Sequence, residues 1–151
     1  MVNFSPKLDR DILTSQEAVD HLQSPIDLLT LAGLEDSVGT ENLYELINVY
    51  LEHSEQAIIK MKEAFINKDF VTIEAENHAL KGGSATFGAI KLADFCRVLQ
   101  SICKIQLKST EYTIEDLAKI ASLLENIEEE YRYVYQTFQA RESSALMLWR
   151  D

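Results

Sequence analysis

The chain has 151 residues, of which 46% are hydrophobic and 26% are charged, a balance typical of a soluble globular protein. Its formal net charge is −11 at pH 7, and so acidic a surface repels nucleic-acid phosphates and anionic lipid. No apolar run reaches the roughly 18 residues of a membrane span, and the N-terminal sequence lacks the basic start and apolar block of a secretory signal. We therefore expect no nucleic-acid or membrane partner and a cytoplasmic protein.

The first two predicted elements are short. Residues 14–17 (TSQE) have the pattern of a capping box and predict a helix that ends near Leu22. Ser24 followed by Pro25 predicts the N-cap and the first residue of a second short helix. Two glycines bracket the end of that helix, within the segment 33–39.

Four longer segments follow, with apolar residues at three- and four-residue steps, the spacing of amphipathic helices. Thr40, Asp69 and Thr113 are the predicted N-caps of the first, second and fourth segments, and Gly88 and Ala89 predict a tight connection between the second and third. The apolar positions of the four segments, in chain order, are Leu43, Leu46, Ile47, Tyr50, Leu51, Ile58, Met61 and Phe65; Phe70, Ile73, Leu80 and Phe87; Leu92, Phe95, Cys96, Leu99, Ile102 and Cys103; and Leu117, Ile120, Leu124, Ile127, Tyr131, Val134 and Phe138.

No stretch shows the alternation of a strand, so the sequence predicts an all-α protein. We expect an antiparallel four-helix bundle with one or two additional short N-terminal helices. The predicted organisation is a single domain over residues 1–151, with the core bundle at about 40–140, the short helices at about 14–34 and a C-terminal tail at about 141–151. We expect a monomer, although the apolar residues of segments 131–138 and 145–149 leave a dimer as the alternative.

The two cysteines are predicted to be reduced. Cys96 and Cys103 lie seven residues apart in one predicted helix. That separation is roughly 10 Å along a helix axis, which is too far for a disulfide.

The stretch HALKGG, residues 78–83, places two glycines in the middle of a predicted helix. Each costs about 0.5–1 kcal/mol relative to alanine. His78 lies outside the core seam of this helix, which steps by three and four residues through Phe70, Ile73, Asn77, Leu80, Ser84 and Phe87. The residues three and four positions away from His78 are small or charged, namely Glu74, Lys81, Gly82 and Ala85. His78 is thus predicted to project into solvent beside cleared space and a cation, although a solvated surface residue is the commoner role of a lone histidine.

Residues 78–100, HALKGGSATFGAIKLADFCRVLQ, resemble the signature of histidine-containing phosphotransfer (HPt) domains. That signature has a histidine, a leucine two residues later, a Lys-Gly pair, a Gly-Ala or similar pair and a Leu/Cys/Leu pattern on the following helix. The matching residues are His78, Leu80, Lys81, Gly82, Gly88, Ala89, Leu92, Cys96 and Leu99. The family fold is a four-helix bundle with the histidine on an exposed helix face. The chain departs from the pattern at Gly83, where many members have serine.

The resemblance implies that His78 accepts a phosphoryl group from the aspartyl phosphate of a receiver domain and passes it to another receiver. Neutral imidazole is a competent nucleophile near pH 7. Lys81 is expected to offset the charge of the phosphoryl group, with Lys104 in a weaker version of the same role, and Gln100 is expected to orient the imidazole through a hydrogen bond. The alternative for these residues is that they are ordinary solvated side chains on a helix surface, without a functional role.

The implied protein is a phosphoryl carrier and not an enzyme. It needs no cofactor of its own, since the receiver would supply the aspartate and Mg²⁺. The expected partners are response-regulator receiver domains and the receiver of a hybrid sensor kinase, with the nucleus as a further location if the source is eukaryotic. The expected docking residues are Gly82, Gly83, Ala85, Glu74, Leu28, Leu31 and Lys104, although Leu28 and Leu31 could instead cap the bundle core.

Three other functions compete with this interpretation. A sensor-kinase fragment is disfavoured because no glycine-rich ATP-binding loop accompanies a strand in this sequence. A di-iron bundle needs Glu-x-x-His pairs, and no histidine of this chain follows a glutamate at that spacing. His21 and His53 are therefore expected to be solvated helix residues. A helical adaptor that binds receivers without carrying phosphate is the stronger alternative, and what argues against it is that His78 is present together with Lys81 and Gly82.

Overall fold

The structure, a computed structural model, describes residues 24–109 and 111–149. Those ranges contain five helices and no strand. The helices are α1 (Leu28–Val38), α2 (Thr40–Ile66), α3 (Phe70–Thr86), α4 (Ile90–Lys108) and α5 (Ile114–Trp149). The helix predicted to end near Leu22 lies outside the described residues.

Helices α2 to α5 form a bundle. α3 packs between α2 and α4, and α5 packs against both α4 and α2, which closes a ring of four helices. The connections within the bundle are three to five residues long, so consecutive helices run antiparallel. The short helix α1 packs against α2. The predicted all-α fold, a four-helix bundle preceded by a short helix, is confirmed.

The bundle core contains most of the predicted apolar positions. On α5, six of the seven are buried and Leu117 is partly buried. Leu46 on α2 departs from the prediction, because 48% of it is exposed. Cys96 and Cys103 are buried free cysteines, as predicted, and burial raises the pKa of both thiols to about 12.

Two of the three predicted N-caps of the long helices are confirmed. Asp69 and Thr113 each accept a hydrogen bond from the backbone N–H three residues later, at 3.1 and 3.0 Å. Thr40 is not an N-cap, because it is already the first residue of α2 and its hydroxyl donates to the Glu35 carboxylate at 2.8 Å. Gly39 takes the N-cap position without a side-chain hydrogen bond, at a φ of +84° that favours glycine.

Helix α1 begins later than predicted, so the assignment of Ser24 as its N-cap was wrong. The Ser24 hydroxyl accepts a hydrogen bond from Ile26 N at 3.3 Å, in a turn before the helix. Asp27 is the N-cap, with a carboxylate that accepts from Leu29 N at 3.2 Å and from the Thr30 hydroxyl at 2.7 Å. Because the carboxylate satisfies two donors of the first turn, it determines where the helix starts.

The predicted tight connection at Gly88 also anchors α1. Gly88 has a φ of +83°, and its carbonyl accepts a hydrogen bond from Asp27 N at 2.7 Å. A Cβ at this position would lie 2.9 Å from the Asp27 carbonyl oxygen. A side chain at residue 88 would therefore be strained and would push the start of α1 away from the bundle.

The C-terminal segment is more regular than predicted. Residues 141–149 do not form a separate tail but continue α5, which is 36 residues long. The Glu142 carboxylate accepts hydrogen bonds from the Asn48 side-chain amide at 3.3 Å, so this part of α5 lies beside the first turns of α2.

Candidate functional site on helix α3

His78 lies on the solvent-exposed side of α3, as predicted. The core side of this helix carries the buried residues Phe70, Ile73, Asn77, Leu80 and Ser84. We call the opposite side the α3 ridge and define it by Glu74, Ala75, His78, Gly82 and Ala85; all but the half-buried Glu74 are exposed. Since His78 is exposed and three of its four ridge neighbours, Ala75, Gly82 and Ala85, have a small side chain or none, its imidazole is accessible from outside the bundle.

The fold itself places no demand for a glycine at residue 82. Apart from its two chain neighbours and the backbone of its own helix, a Cβ added to Gly82 would have no atom within 4 Å, and the φ of Gly82 is not positive. An alanine here would stabilise the helix by about 1 kcal/mol. The glycine instead leaves the backbone bare one turn after His78.

Gly83 has a different environment, which explains the departure from serine. A Cβ at Gly83 would lie 3.0 Å from Tyr50 Cδ1 and 3.2 Å from Tyr50 Cε1. Tyr50 is only 6% exposed, and its ring packs against Phe87 and Phe138 with centroid distances of 5.0 and 6.5 Å. Its hydroxyl is 2.8 Å from Ser84 Oγ. Gly83 therefore allows α2 and α3 to approach closely, and it faces α2 instead of the α3 ridge on which docking was expected.

We predict that Gly82→Ser and Gly83→Ser have opposite effects on stability. Serine at residue 82 should raise the free energy of unfolding by about 0.5 kcal/mol through helix propensity alone. Serine at residue 83 should lower it by about 1–3 kcal/mol, because Tyr50 has to move within a packed core. Urea unfolding followed by circular dichroism measures both, and equal shifts in the two variants would refute the role given to Tyr50.

Lys81 and Gln100 are in direct contact across the α3–α4 interface. Lys81 Nζ donates a hydrogen bond to Gln100 Oε1 at 2.6 Å, and both side chains are partly buried. Gln100 was expected to orient the imidazole of His78, but among the described residues no hydrogen bond joins these two side chains. The orientation of the imidazole by Gln100 therefore stays a prediction. The partner of the Gln100 oxygen in the structure is the Lys81 ammonium.

A buried hydrogen bond fixes α3 and α4 beneath this contact. Asn77 Nδ2 donates to the Cys96 carbonyl oxygen at 2.8 Å, and both residues are 0% exposed. Sequence reasoning placed Asn77 on the core seam without assigning it a role. A polar residue at core spacing was the available signal, because a buried amide requires a partner.

The two leucines expected on the docking surface occupy different environments. Leu28 is 37% exposed, whereas Leu31 is 3% exposed and belongs to the core. Leu31 therefore cannot contribute to an exposed docking patch, and here the alternative interpretation, a leucine that caps the core, is correct. Leu29, which the sequence reasoning missed, is 78% exposed on the first turn of α1.

A groove of about 500 Å³ lies between α2 and α3. Its α2 wall includes the exposed residues Leu46 and Val49, and its α3 wall includes Ala79 and Gly83. Successive residues of an α-helix are about 100° apart around its axis. Ala79, on the groove wall, is therefore about 100° around α3 from His78, and Gly82 lies between the two. The groove and His78 thus lie on either side of the bare backbone of Gly82. Sequence reasoning assigned Leu46 to the core and so did not foresee this groove.

The remaining candidate residues lie on other helices or outside the described residues. Lys104 is exposed on α4, one turn after Gln100, and His53 is exposed on α2. His21 lies outside the described residues. Within residues 24–109 and 111–149, no group of three or more His, Cys, Asp or Glu residues could hold a metal ion. No helix in the same ranges is long and apolar enough to cross a membrane.

Comparison with protein families identifies the fold. The family model described as the Hpt domain matches residues 45–130, more than half of the chain. The chain belongs to the Hpt domain family. The matched range contains all of α3 and α4 and therefore includes His78, Lys81 and Gln100.

Individual relatives of this Hpt domain are distant in sequence. Multistep phosphorelay regulator 1 of Schizosaccharomyces pombe is 22% identical over 151 residues, which cover 95% of this chain and 50% of that protein. The chain thus spans about half the length of this curated relative.

Two solved structures share the fold of this Hpt domain. Histidine-containing phosphotransfer protein B of Pseudomonas aeruginosa is 22% identical with a TM-score of 0.71, over 81% of this chain and 97% of that chain. A rice protein described as a histidine-containing phosphotransfer protein is also 22% identical, with a TM-score of 0.52 over 82% of this chain and 88% of that chain. At this level of identity the two structures support the fold alone.

Proposed function

We propose that this Hpt domain is a phosphorelay intermediate that carries a phosphoryl group on His78 between receiver domains. The observation that carries the proposal is the position of His78, which lies within the family match on an exposed ridge next to the bare backbone of Gly82. The name of the fission-yeast relative, a multistep phosphorelay regulator, supports the same role.

The proposed reaction is a phosphoryl exchange between nitrogen and oxygen. The distal imidazole nitrogen, Nε2, attacks the phosphorus of an aspartyl phosphate, so that a P–N bond forms while the P–O bond to the aspartyl carboxyl breaks. The aspartate leaves as a carboxylate, and the other imidazole nitrogen keeps its proton, which gives a phosphorylated imidazolium. Attack by the aspartate of a second receiver reverses these bond changes and restores neutral His78.

Such a transfer needs positioning and charge neutralisation more than covalent assistance. On this chain the candidate for neutralisation is Lys81, one turn after His78, and its ammonium is in no ion pair with a described carboxylate. The receiver would supply the aspartate and a bound Mg²⁺. The domain would thus be a carrier whose active site is completed by its partner.

The proposed docking surface combines the α3 ridge, the groove between α2 and α3, and the exposed leucines at the start of α1. Leu29 on α1 and Leu46 and Val49 on the groove wall are 78%, 48% and 51% exposed, which gives the surface an apolar component. A receiver that binds here would cover exposed apolar area while its aspartate faces His78.

Leu29→Ala should weaken receiver binding without changing stability. We expect a loss of affinity of about fivefold, the effect of removing one apolar interface contact, and a change in the free energy of unfolding within about 0.5 kcal/mol. Leu31→Ala should instead lower the free energy of unfolding by about 2–5 kcal/mol, because its side chain is in the core. Calorimetric titration with a receiver and urea unfolding measure the two effects.

Ile114→Ala is the matched surface control for Leu29→Ala. Ile114 is 88% exposed at the first residue of α5 and lies outside the proposed docking surface. If Ile114→Ala weakens receiver binding as much as Leu29→Ala, the proposed docking surface is wrong.

Incubation with a phosphorylated receiver and Mg²⁺ tests the proposed function as a whole. The receiver is charged with labelled phosphate, purified from the donor and mixed with the chain, and the label on each protein is followed with time. We expect the label to move to this chain and then to a second receiver. A chain that binds the receiver but never acquires label would be an adaptor, and the proposal would fail.

A further inference from the structure

The ammonium of Lys81 is held by an uncharged group. Its hydrogen bond to Gln100 Oε1 measures 2.6 Å, and the five ion pairs among the described residues do not include it. A carboxylate in the same place would fix the ammonium equally well but would also cancel its charge. The amide of Gln100 fixes the position and leaves the charge uncompensated.

The geometry of the helix directs Lys81 toward His78. Side chains on an α-helix lean toward its N-terminus, so a residue covers the turn that precedes it. Lys81 follows His78 by three residues, and a stem that leans in this direction covers the turn that carries the imidazole. The Gln100 contact holds the end of this stem against α4, on a helix pair already fixed by the buried bond between Asn77 and Cys96.

We infer that Gln100 is a positioning residue that acts through Lys81 and not through the imidazole of His78. The inference rests on the proposed function, since a fixed ammonium contributes to transfer only by stabilising the charge of a phosphoryl group at His78. The flexible side chain of a lysine loses conformational entropy when its ammonium is ordered against a phosphoryl group. Because the contact with Gln100 orders the ammonium beforehand, this entropy is not lost during the transfer step.

The hydrogen-bonding capacity of Lys81 allows both contacts at once. An ammonium has three donors, and the Gln100 oxygen uses one of them. Two donors are left for phosphoryl oxygens on His78. A hydrogen bond from Lys81 to a phosphoryl group therefore does not use the donor that is bonded to Gln100.

A double-mutant cycle tests the inference in the full chain. The variants are Gln100→Met, which removes the acceptor at similar length, Lys81→Met, and the two combined. We expect Gln100→Met to slow transfer from a phosphorylated receiver about tenfold, the effect of losing one hydrogen bond to a charged group. In the Lys81→Met background the same substitution should change the rate by less than about twofold, because the residue through which it acts is gone.

Gln100→Glu separates positioning from charge. The glutamate keeps the contact with Lys81 but neutralises the ammonium, so transfer should be slower than in the wild type, and added salt should reduce this difference. The ¹⁵N NMR signals of His78 should report the same tautomer in the wild type and in Gln100→Met. A tautomer change in Gln100→Met, or equal rate effects in both Lys81 backgrounds, would overturn the inference in favour of direct imidazole orientation.

One readout needs no partner and keeps this inference separate from the proposed function. The side-chain ammonium signal of Lys81 should exchange with water more slowly than that of the exposed Lys104, and Gln100→Met should remove the difference. If Lys81 and Lys104 exchange equally fast in the wild type, the inference is wrong even if His78 is phosphorylated. If the Lys81 ammonium exchanges slowly in a Gln100-dependent way but no receiver phosphorylates the chain, the Lys81–Gln100 contact is confirmed and the proposed function is wrong.

Discussion

His78→Gln is expected to abolish phosphoryl transfer to the chain while leaving the fold and receiver binding intact. Glutamine preserves much of the size and polarity of the imidazole but has no nucleophilic nitrogen, so no P–N bond can form. Because His78 is exposed on the α3 ridge, the free energy of unfolding should change by no more than about 0.5 kcal/mol. Label transfer from a charged receiver, calorimetric binding and urea unfolding measure the three quantities.

His53→Gln is the matched control for this substitution. His53 is also an exposed histidine, on α2 at the wall of the groove that belongs to the proposed docking surface. His53→Gln should therefore be compared at saturating receiver, where the final level of phosphorylation should equal that of the wild type. Label on His78→Gln equal to that on the wild type would show that the phosphoryl group resides elsewhere.

Gly82→Leu is expected to slow transfer by about 100-fold, the loss expected when reacting groups are displaced by about 1 Å. The leucine side chain would project beside His78 on the ridge, where the aspartyl phosphate of a receiver has to approach. Within the chain its Cβ has free space, because no atom beyond the two chain neighbours and the backbone of the same helix lies within 4 Å. The free energy of unfolding should therefore rise by about 1 kcal/mol through helix propensity.

Two controls accompany Gly82→Leu. Gly82→Ala gives a similar gain in stability with little added volume, so it should retain most of the transfer rate. Ala140→Leu adds the same side chain at an exposed position of α5, the helix across the bundle from α3, and should not affect transfer. Wild-type transfer by Gly82→Leu would mean that the glycine does not serve access to His78.

Features that depend on a single helix could be predicted from the sequence. The periodicity of α5 correctly identified its buried face from Ile120 to Phe138, because a 3.6-residue repeat sets the burial of an amphipathic helix. The N-caps Asp69 and Thr113 were also correct, since each bonds to a backbone group three residues later. The corresponding apolar periodicity of α3 correctly placed His78 outside the core.

The errors arose where a contact between helices decides the outcome. Leu29 and Leu31 are both apolar, and α1 has only 11 residues, so which leucine is buried depends on how α1 packs against α2. The attachment of the start of α1 to the bundle likewise depends on the bond between Asp27 and Gly88, 61 residues apart in sequence. Local patterns contain no information about either contact.

In the site, too, the features set within one helix were predicted and the contacts between helices were not. The sequence identified His78, Lys81 and Gln100 as a group through the family resemblance, but it did not reveal that Gln100 accepts from Lys81. Gly83 could not be explained until Tyr50, 33 residues earlier, was seen against it. The glycine pair thus has two separate roles, since Gly83 permits helix packing and Gly82 leaves the ridge bare.

The most direct test of the central claim is to locate the phosphoryl group on the charged chain. The chain is phosphorylated by a labelled receiver with Mg²⁺, and ³¹P–¹H correlation NMR together with mass spectrometry of peptides, kept at neutral or basic pH, identifies the modified atom. We predict a single acid-labile phosphoramidate on Nε2 of His78. Phosphate on another residue, or a chain that stays unmodified while it binds the charged receiver, would contradict the claim.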